Sequence, residues 1–94
     1  MRILVLEDDR DIRTSLSASL REAGYVVDEA ERAIEAQALT ESFEFDALIV
    51  DVRLPDGPDA GFDFVTGLRA AQVSSPVLFL TAREVIWIVV GTLG

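Results

Sequence analysis

Cysteine, histidine and lysine are all absent from the 94 residues. Without cysteine there is no disulfide framework and no thiolate metal site. Without histidine there is neither an imidazole ligand nor a Ser-His-Asp triad. All eight positive residues are therefore arginines, set against 17 acids for a net charge of −9. Duplex nucleic acid demands a basic footprint, and this balance argues against direct nucleic-acid contact by the domain. The acidity suits a hard divalent cation or a basic protein partner, and its plain alternative is a soluble surface. Long apolar runs are missing too: the longest late one, Val85 to Val90, is too short to cross a bilayer. The start runs straight into a short apolar segment with acids by position 7, so a cytoplasmic chain without a leader or membrane contact is expected.

What remains is an ordinary globular composition, half apolar and 27% charged, sufficient for one domain and too short for two. Ile3 to Leu6 is continuously aliphatic, which predicts a strand buried on both faces. Ile12, Leu16, Leu20 and Ala23 recur at helical spacing, with Asp9 or Asp11 as the N-cap and Gly24 as the stop. A second strand is expected over Tyr25 to Asp28. A helix should follow from Ala30 to Ser42, with Ala33, Ala36, Ala38 and Leu39 on its apolar face. Ala47 to Val50 predicts a third strand, and a loop rich in Pro, Gly and Asp covers 54–61. Phe62 to Ala71 predicts a helix packed through Phe62, Val65 and Leu68, and Pro76 to Leu80 a fourth strand. Strands and helices in alternation, with fully apolar strands, imply an α/β parallel sheet with helices on both faces.

Such sheets bind ligands beyond the carboxyl ends of their strands. The first strand delivers Glu7, Asp8 and Asp9 there, the third Asp51 and the fourth Thr81. Carboxylates brought together repel one another and raise each other's pKa unless a cation sits among them. With only oxygen ligands on offer, that cation should be Mg2+. The competing explanation is that Glu7 to Asp11 merely caps the first helix.

Three segments in order, ILVLEDD, ALIVDVRLPDG and PVLFLTA, resemble the receiver domain of two-component response regulators over residues 1–83. The resemblance implies an incomplete flavodoxin-like, doubly wound parallel sheet with four of the usual five β/α units. It implies Asp51 as the phosphoacceptor and a sensor histidine kinase as the phosphoryl donor. Asp8 and Asp51 would ligate Mg2+ directly, Glu7 through water, and Arg53 through its backbone carbonyl. Thr81 would contact the phosphoryl group, Ala82 would leave room for it, and Leu54-Pro55 matches the loop after the acceptor strand. An aspartate attacking a phosphoryl group yields an acyl phosphate, and the added charge can bias a two-state loop.

Three features depart from that pattern. The loop from Asp56 to Gly61 is slightly longer than usual. The lysine that ends the family's fifth strand is absent, with Arg83 the nearest cation in sequence. The fourth helix, fifth strand and fifth helix have no counterpart in the divergent hydrophobic tail, residues 84–94. Two accounts of that tail stand: a truncated or frame-shifted receiver, or a real strand over Val85 to Val90 that forms an antiparallel edge beside the fourth strand or is swapped onto another chain, as in a homodimer. Trp87 within it reads as a packing aromatic. Impaired switching is expected, with a non-switching binding module as the alternative. An aspartate-nucleophile phosphatase of the haloacid dehalogenase type would need an acid two residues after Asp51, where Arg53 stands.

Overall fold

A computed structural model describes residues 1–80. Four strands, β1 (Arg2–Leu6), β2 (Val26–Ala30), β3 (Ala47–Asp51) and β4 (Val77–Leu80), alternate with three helices, α1 (Arg10–Glu22), α2 (Ala33–Ser42) and α3 (Ala60–Ala70). All pairings are parallel and the spatial order is β2-β1-β3-β4. The chain thus steps from β1 to one side, then crosses back to the other. The crevice where that reversal falls, between the carboxyl ends of β1 and β3, is where a doubly wound sheet binds its ligand.

The continuous aliphatic runs are buried on both faces, as expected. Leu4, Leu6, Leu48, Val50, Val77 and Phe79 face α2 and α3, where they meet Ala36, Phe64, Val65 and Leu68. Ile3, Val5, Val27 and Ile49 face the other way, toward Leu16 and Leu20 of α1. Each fully buried aliphatic side chain contributes roughly 1.5–3 kcal/mol.

Several boundaries differ from the periodicity reading. β2 runs to Ala30, and α2 begins only at Ala33. Ala30 is 3% exposed and its carbonyl accepts from the Glu7 N–H at 3.0 Å, so the ladder with β1 outcompetes helix propensity there. Helix α3 begins two residues early, at Ala60, and buries Phe64 instead of Phe62, which is 44% exposed. On α2, Ala36 is buried while Ala38 is exposed. On α1 the inward stripe is rotated: Ile12 is 49% exposed, while Arg13 and Ser17 are buried.

Helix ends are handled by specific groups. Asp9 is the N-cap of α1, its Oδ1 accepting from the N–H groups of Asp11 (2.9 Å) and Ile12 (3.1 Å). Gly24 stops the helix with φ +99°, in a Schellman arrangement with Gly24 N–H to Arg21 and Tyr25 N–H to Leu20. Gln72 occupies the corresponding position after α3, at φ +63°. The long loop after β3 folds over α2, where Asp56 Oδ2 accepts from the Ala33 N–H at 3.3 Å.

Candidate functional site

Because β1 and β3 pair with Leu6 beside Val50, the residues that follow, Glu7 and Asp51, lie side by side at the sheet's carboxyl edge. Carboxylate oxygens of Glu7, Asp8 and Asp51 all lie within 4.8 Å of one another. The acidic run therefore divides its labour. Asp9 caps α1, and Glu7 and Asp8 turn instead toward Asp51, so capping accounts for only part of it.

Two of the three carboxyl groups are nearly removed from water: Glu7 is 4% exposed and Asp51 8%. Burial, the hydrogen bond and charge of Asp51, and a further hydrogen bond to Asp8 together push the Glu7 carboxyl up to about 8, although the Asp9 N–H pulls the other way. Burial also raises Asp51. Asp8 adds to that rise, while hydrogen bonds from Glu7 and from the Arg53 backbone N–H, at 3.0 Å, oppose it. Both groups are raised and hydrogen-bonded to each other, so the pair retains a proton at neutral pH. Three hard oxygen donors within 4.8 Å of one another, two of them buried and kept together by a proton in the cation's place, suit a small divalent cation. The residues present fit Mg2+.

Of the sequence candidates, Glu7, Asp8 and Asp51 are thus brought to one place, and Arg53 reaches it through its N–H on Asp51. Thr81, Ala82, Arg83 and the whole tail with Trp87 lie outside the described residues. Two contributors escaped the sequence reading. Gly61, at the start of α3, donates its N–H to the Val52 carbonyl at 3.1 Å. A Cβ there would collide with the backbone carbonyl of Asp51 and come within 2.8 Å of the Val52 Cα. Glycine at 61 lets α3 press against the strand end that carries Asp51. The glycine-rich loop hinted at this, but the periodicity placed the helix start one residue too late to show it.

Arg13 is the second. Its side chain is 10% exposed, with Nη1 donating to the carbonyls of Glu7 (2.9 Å) and Asp8 (3.4 Å). It also pairs with Glu31 at 3.2 Å and Glu29 at 3.5 Å. Its position between Leu16 and Ser17 on the inward stripe, one turn after Asp9, was the available signal.

A parallel sheet of this order, carrying an acidic cluster at its switch point, defines a doubly wound α/β domain with a candidate cation site. The family model for the response regulator receiver domain matches residues 3–92. The chain belongs to that family. It is 43% identical over 82 residues to the probable transcriptional regulatory protein SilR of Salmonella typhimurium, covering 87% of this chain and 35% of SilR. The chain spans about a third of the length of the curated relatives it matches. Among solved structures, the non-phosphorylated HemR receiver domain from Leptospira biflexa aligns with a TM-score of 0.78 at 38% identity, over 87% of this chain and 64% of that one. The response regulator TrrA from Thermotoga maritima, in complex with Mg2+-BeF, aligns with a TM-score of 0.79 at 32% identity, over 88% and 70%. The sheet is accordingly flavodoxin-like, and the domain is a module of two-component signalling. No helix among the described residues is long and apolar enough to cross a membrane.

Proposed function

We propose that this chain is a cytoplasmic receiver module that accepts a phosphoryl group on Asp51 from a sensor histidine kinase. The observation that carries the proposal is the convergence of the Glu7, Asp8 and Asp51 carboxylates at the switch point of the sheet. Mg2+ would be held by Asp8, Asp51 and the Arg53 carbonyl, with Glu7 acting through water. Bound there, the ion screens the negative charge between carboxylate and phosphoryl oxygens. The chain's own residues do the rest. The Asp51 carboxylate is the nucleophile: one of its oxygens forms the bond to phosphorus as the bond to the donor's leaving group breaks. The Arg53 N–H fixes the orientation of the Asp51 carboxylate through Oδ1. Thr81, outside the described residues, is assigned the contact to the transferred group. Support for Mg2+ comes from the donor set itself and from the Mg2+-BeF complex of TrrA.

One observation favours a second reading. These 94 residues hold no lysine, so the cation that usually pairs with the phosphoryl group is not among them. Switching would then be impaired, leaving a receiver-like binding module. Incubation with acetyl phosphate or phosphoramidate and Mg2+ tests both. An acid-stable, base-labile adduct that disappears in Asp51→Asn supports the phosphoacceptor. Mg2+ binding with no adduct supports the binding module.

A further inference from the structure

We propose that Arg13 is the positioning residue for the acid pair: it fixes the peptide planes of Glu7 and Asp8 so that their carboxylates converge on Asp51. The inference rests on the reading of Glu7, Asp8 and Asp51 as a Mg2+ site.

The geometry is specific to an arginine one turn into α1. Asp9 caps the helix, and the Arg13 N–H closes the first turn onto the Asp9 carbonyl at 2.9 Å. Side chains on a helix lean toward its N-terminus, so the guanidinium reaches back over the segment that joins β1 to α1. There Nη1 meets the carbonyls of both acids, at 2.9 Å for Glu7 and 3.4 Å for Asp8. On its other side, the guanidinium is braced by Glu31 and Glu29 at the end of β2 and just beyond. Glu29 is in turn held by Arg21 at 3.1 Å, whose Nη2 also donates to the Val27 carbonyl at 2.9 Å.

The Glu7 peptide is thereby fixed from two directions: its N–H by Ala30 in the β2 ladder, its C=O by Arg13. A buried arginine with planar, forked donors is suited to holding several oxygens at once, and a lysine is not. Arg13 touches the backbone oxygens of the acids and none of their carboxylate oxygens among the hydrogen bonds and ion pairs it makes with described residues. Its influence on the site is therefore one of placement. Outer partners that orient metal ligands typically matter 10–100-fold in affinity.

Arg13→Lys is the test, because it keeps the charge and most of the stem while losing the fork. Mg2+ is titrated calorimetrically into the full 94-residue chain well below its unfolding temperature, with Arg21→Lys as a control that perturbs the same Glu29 network without touching either acid. We expect Mg2+ to bind Arg13→Lys about 10-fold more weakly, with Arg21→Lys within about twofold of the parent chain. Arg13→Met should be weakened at least as much as Arg13→Lys. Arg13→Lys binding like the parent, or Arg21→Lys weakened as much as Arg13→Lys, overturns the assignment. Asp51→Asn and Asp8→Asn titrations separate the two levels. If these bind Mg2+ as tightly as the parent, the metal-site reading has failed. If they lose binding while Arg13→Lys does not, only the role of Arg13 has failed.

Discussion

The absence of histidine and cysteine turns the acid pair into a clean titration experiment. Histidine and cysteine are the side chains that ordinarily titrate between about pH 6 and 8.5, and this chain has neither. Any steep dependence of stability on pH in that window comes from the site. Glu7 sits at about 8 in the folded chain against an ordinary 4.5, because burial and Asp51 disfavour its charge. A carboxyl raised on folding contributes stability that is complete below pH 4.5 and lost as pH rises through 8. At ~1.4 kcal/mol per unit, that displacement removes roughly 4–5 kcal/mol by pH 9. Asp51, also raised, acts in the same direction. The loss is comparable with the whole stability of a marginal domain, about 5 kcal/mol. Glu7→Gln mimics the protonated acid. It should exceed the parent by roughly 2 kcal/mol at pH 6 and by roughly 4–5 kcal/mol at pH 8.5. Urea unfolding followed by circular dichroism in EDTA, at half-unit steps of pH, reads this directly. Mg2+ should restore the parent at pH 8.5 and leave Glu7→Gln less affected. Its binding at pH 7 should release close to one proton, measured from the buffer dependence of the calorimetric enthalpy. A flat profile for the parent between pH 6 and 8.5, or an equal slope in Glu7→Gln, would refute the account of the pair.

Three other substitutions probe the scaffold. Gly61→Ala must push α3 away from the strand end, because its Cβ meets the Asp51 carbonyl and the Val52 Cα; a loss of about 2–3 kcal/mol in urea unfolding, with weaker Mg2+ binding, is expected. Ser17 is fully buried and its Oγ has no hydrogen-bond partner among the described residues, so Ser17→Ala should raise the unfolding midpoint by an amount worth about 1 kcal/mol; a lowered midpoint would refute this. Gln72 holds φ +63° at the end of α3, and Gln72→Gly should stabilise by about 0.5–1 kcal/mol with no change in Mg2+ affinity.

The strand runs, the parallel α/β class and the convergence of Glu7, Asp8 and Asp51 were legible because each rests on a strong local signal. A continuous aliphatic run has few homes other than a doubly covered strand, and its carboxyl end is where such sheets place their ligands. The rotated stripe of α1 was not legible. Periodicity assigns apolar residues to the inside, but at the first turn the nearest unsatisfied partners are the carbonyls of Glu7 and Asp8, and Arg13 takes the inward place in Ile12's stead. The start of α2 was missed for a similar reason. Ala30 favours helix in isolation, yet its carbonyl is claimed by Glu7 across the sheet. The Ala30 bond joins residues distant in sequence, and the Arg13 bonds run from a side chain to nearby backbone carbonyls; a pattern of apolar residues carries no signal for either.

The same comparison locates what the fold sustains for the sake of the site. A core that served stability alone would put apolar side chains at 7 and 51, where the neighbouring positions Leu6 and Val50 are fully buried. It would have no need for an arginine under α1 or for a glycine at 61, inside a helix, where glycine is unfavourable by about 1 kcal/mol. Each of these four choices goes against local propensity or burial, and all four meet within one corner of the sheet. Agreement among levels is the rule in a folded sequence, and concentrated disagreement marks a place held for a ligand. The repulsion between Glu7 and Asp51 is therefore part of the site's design. It keeps a proton on the pair in the metal-free corner, and a divalent cation entering there would have to displace that proton. Lowering pH from 8 to 6 should therefore weaken Mg2+ binding while stabilising the metal-free chain, and equal or tighter binding at pH 6 would overturn this account.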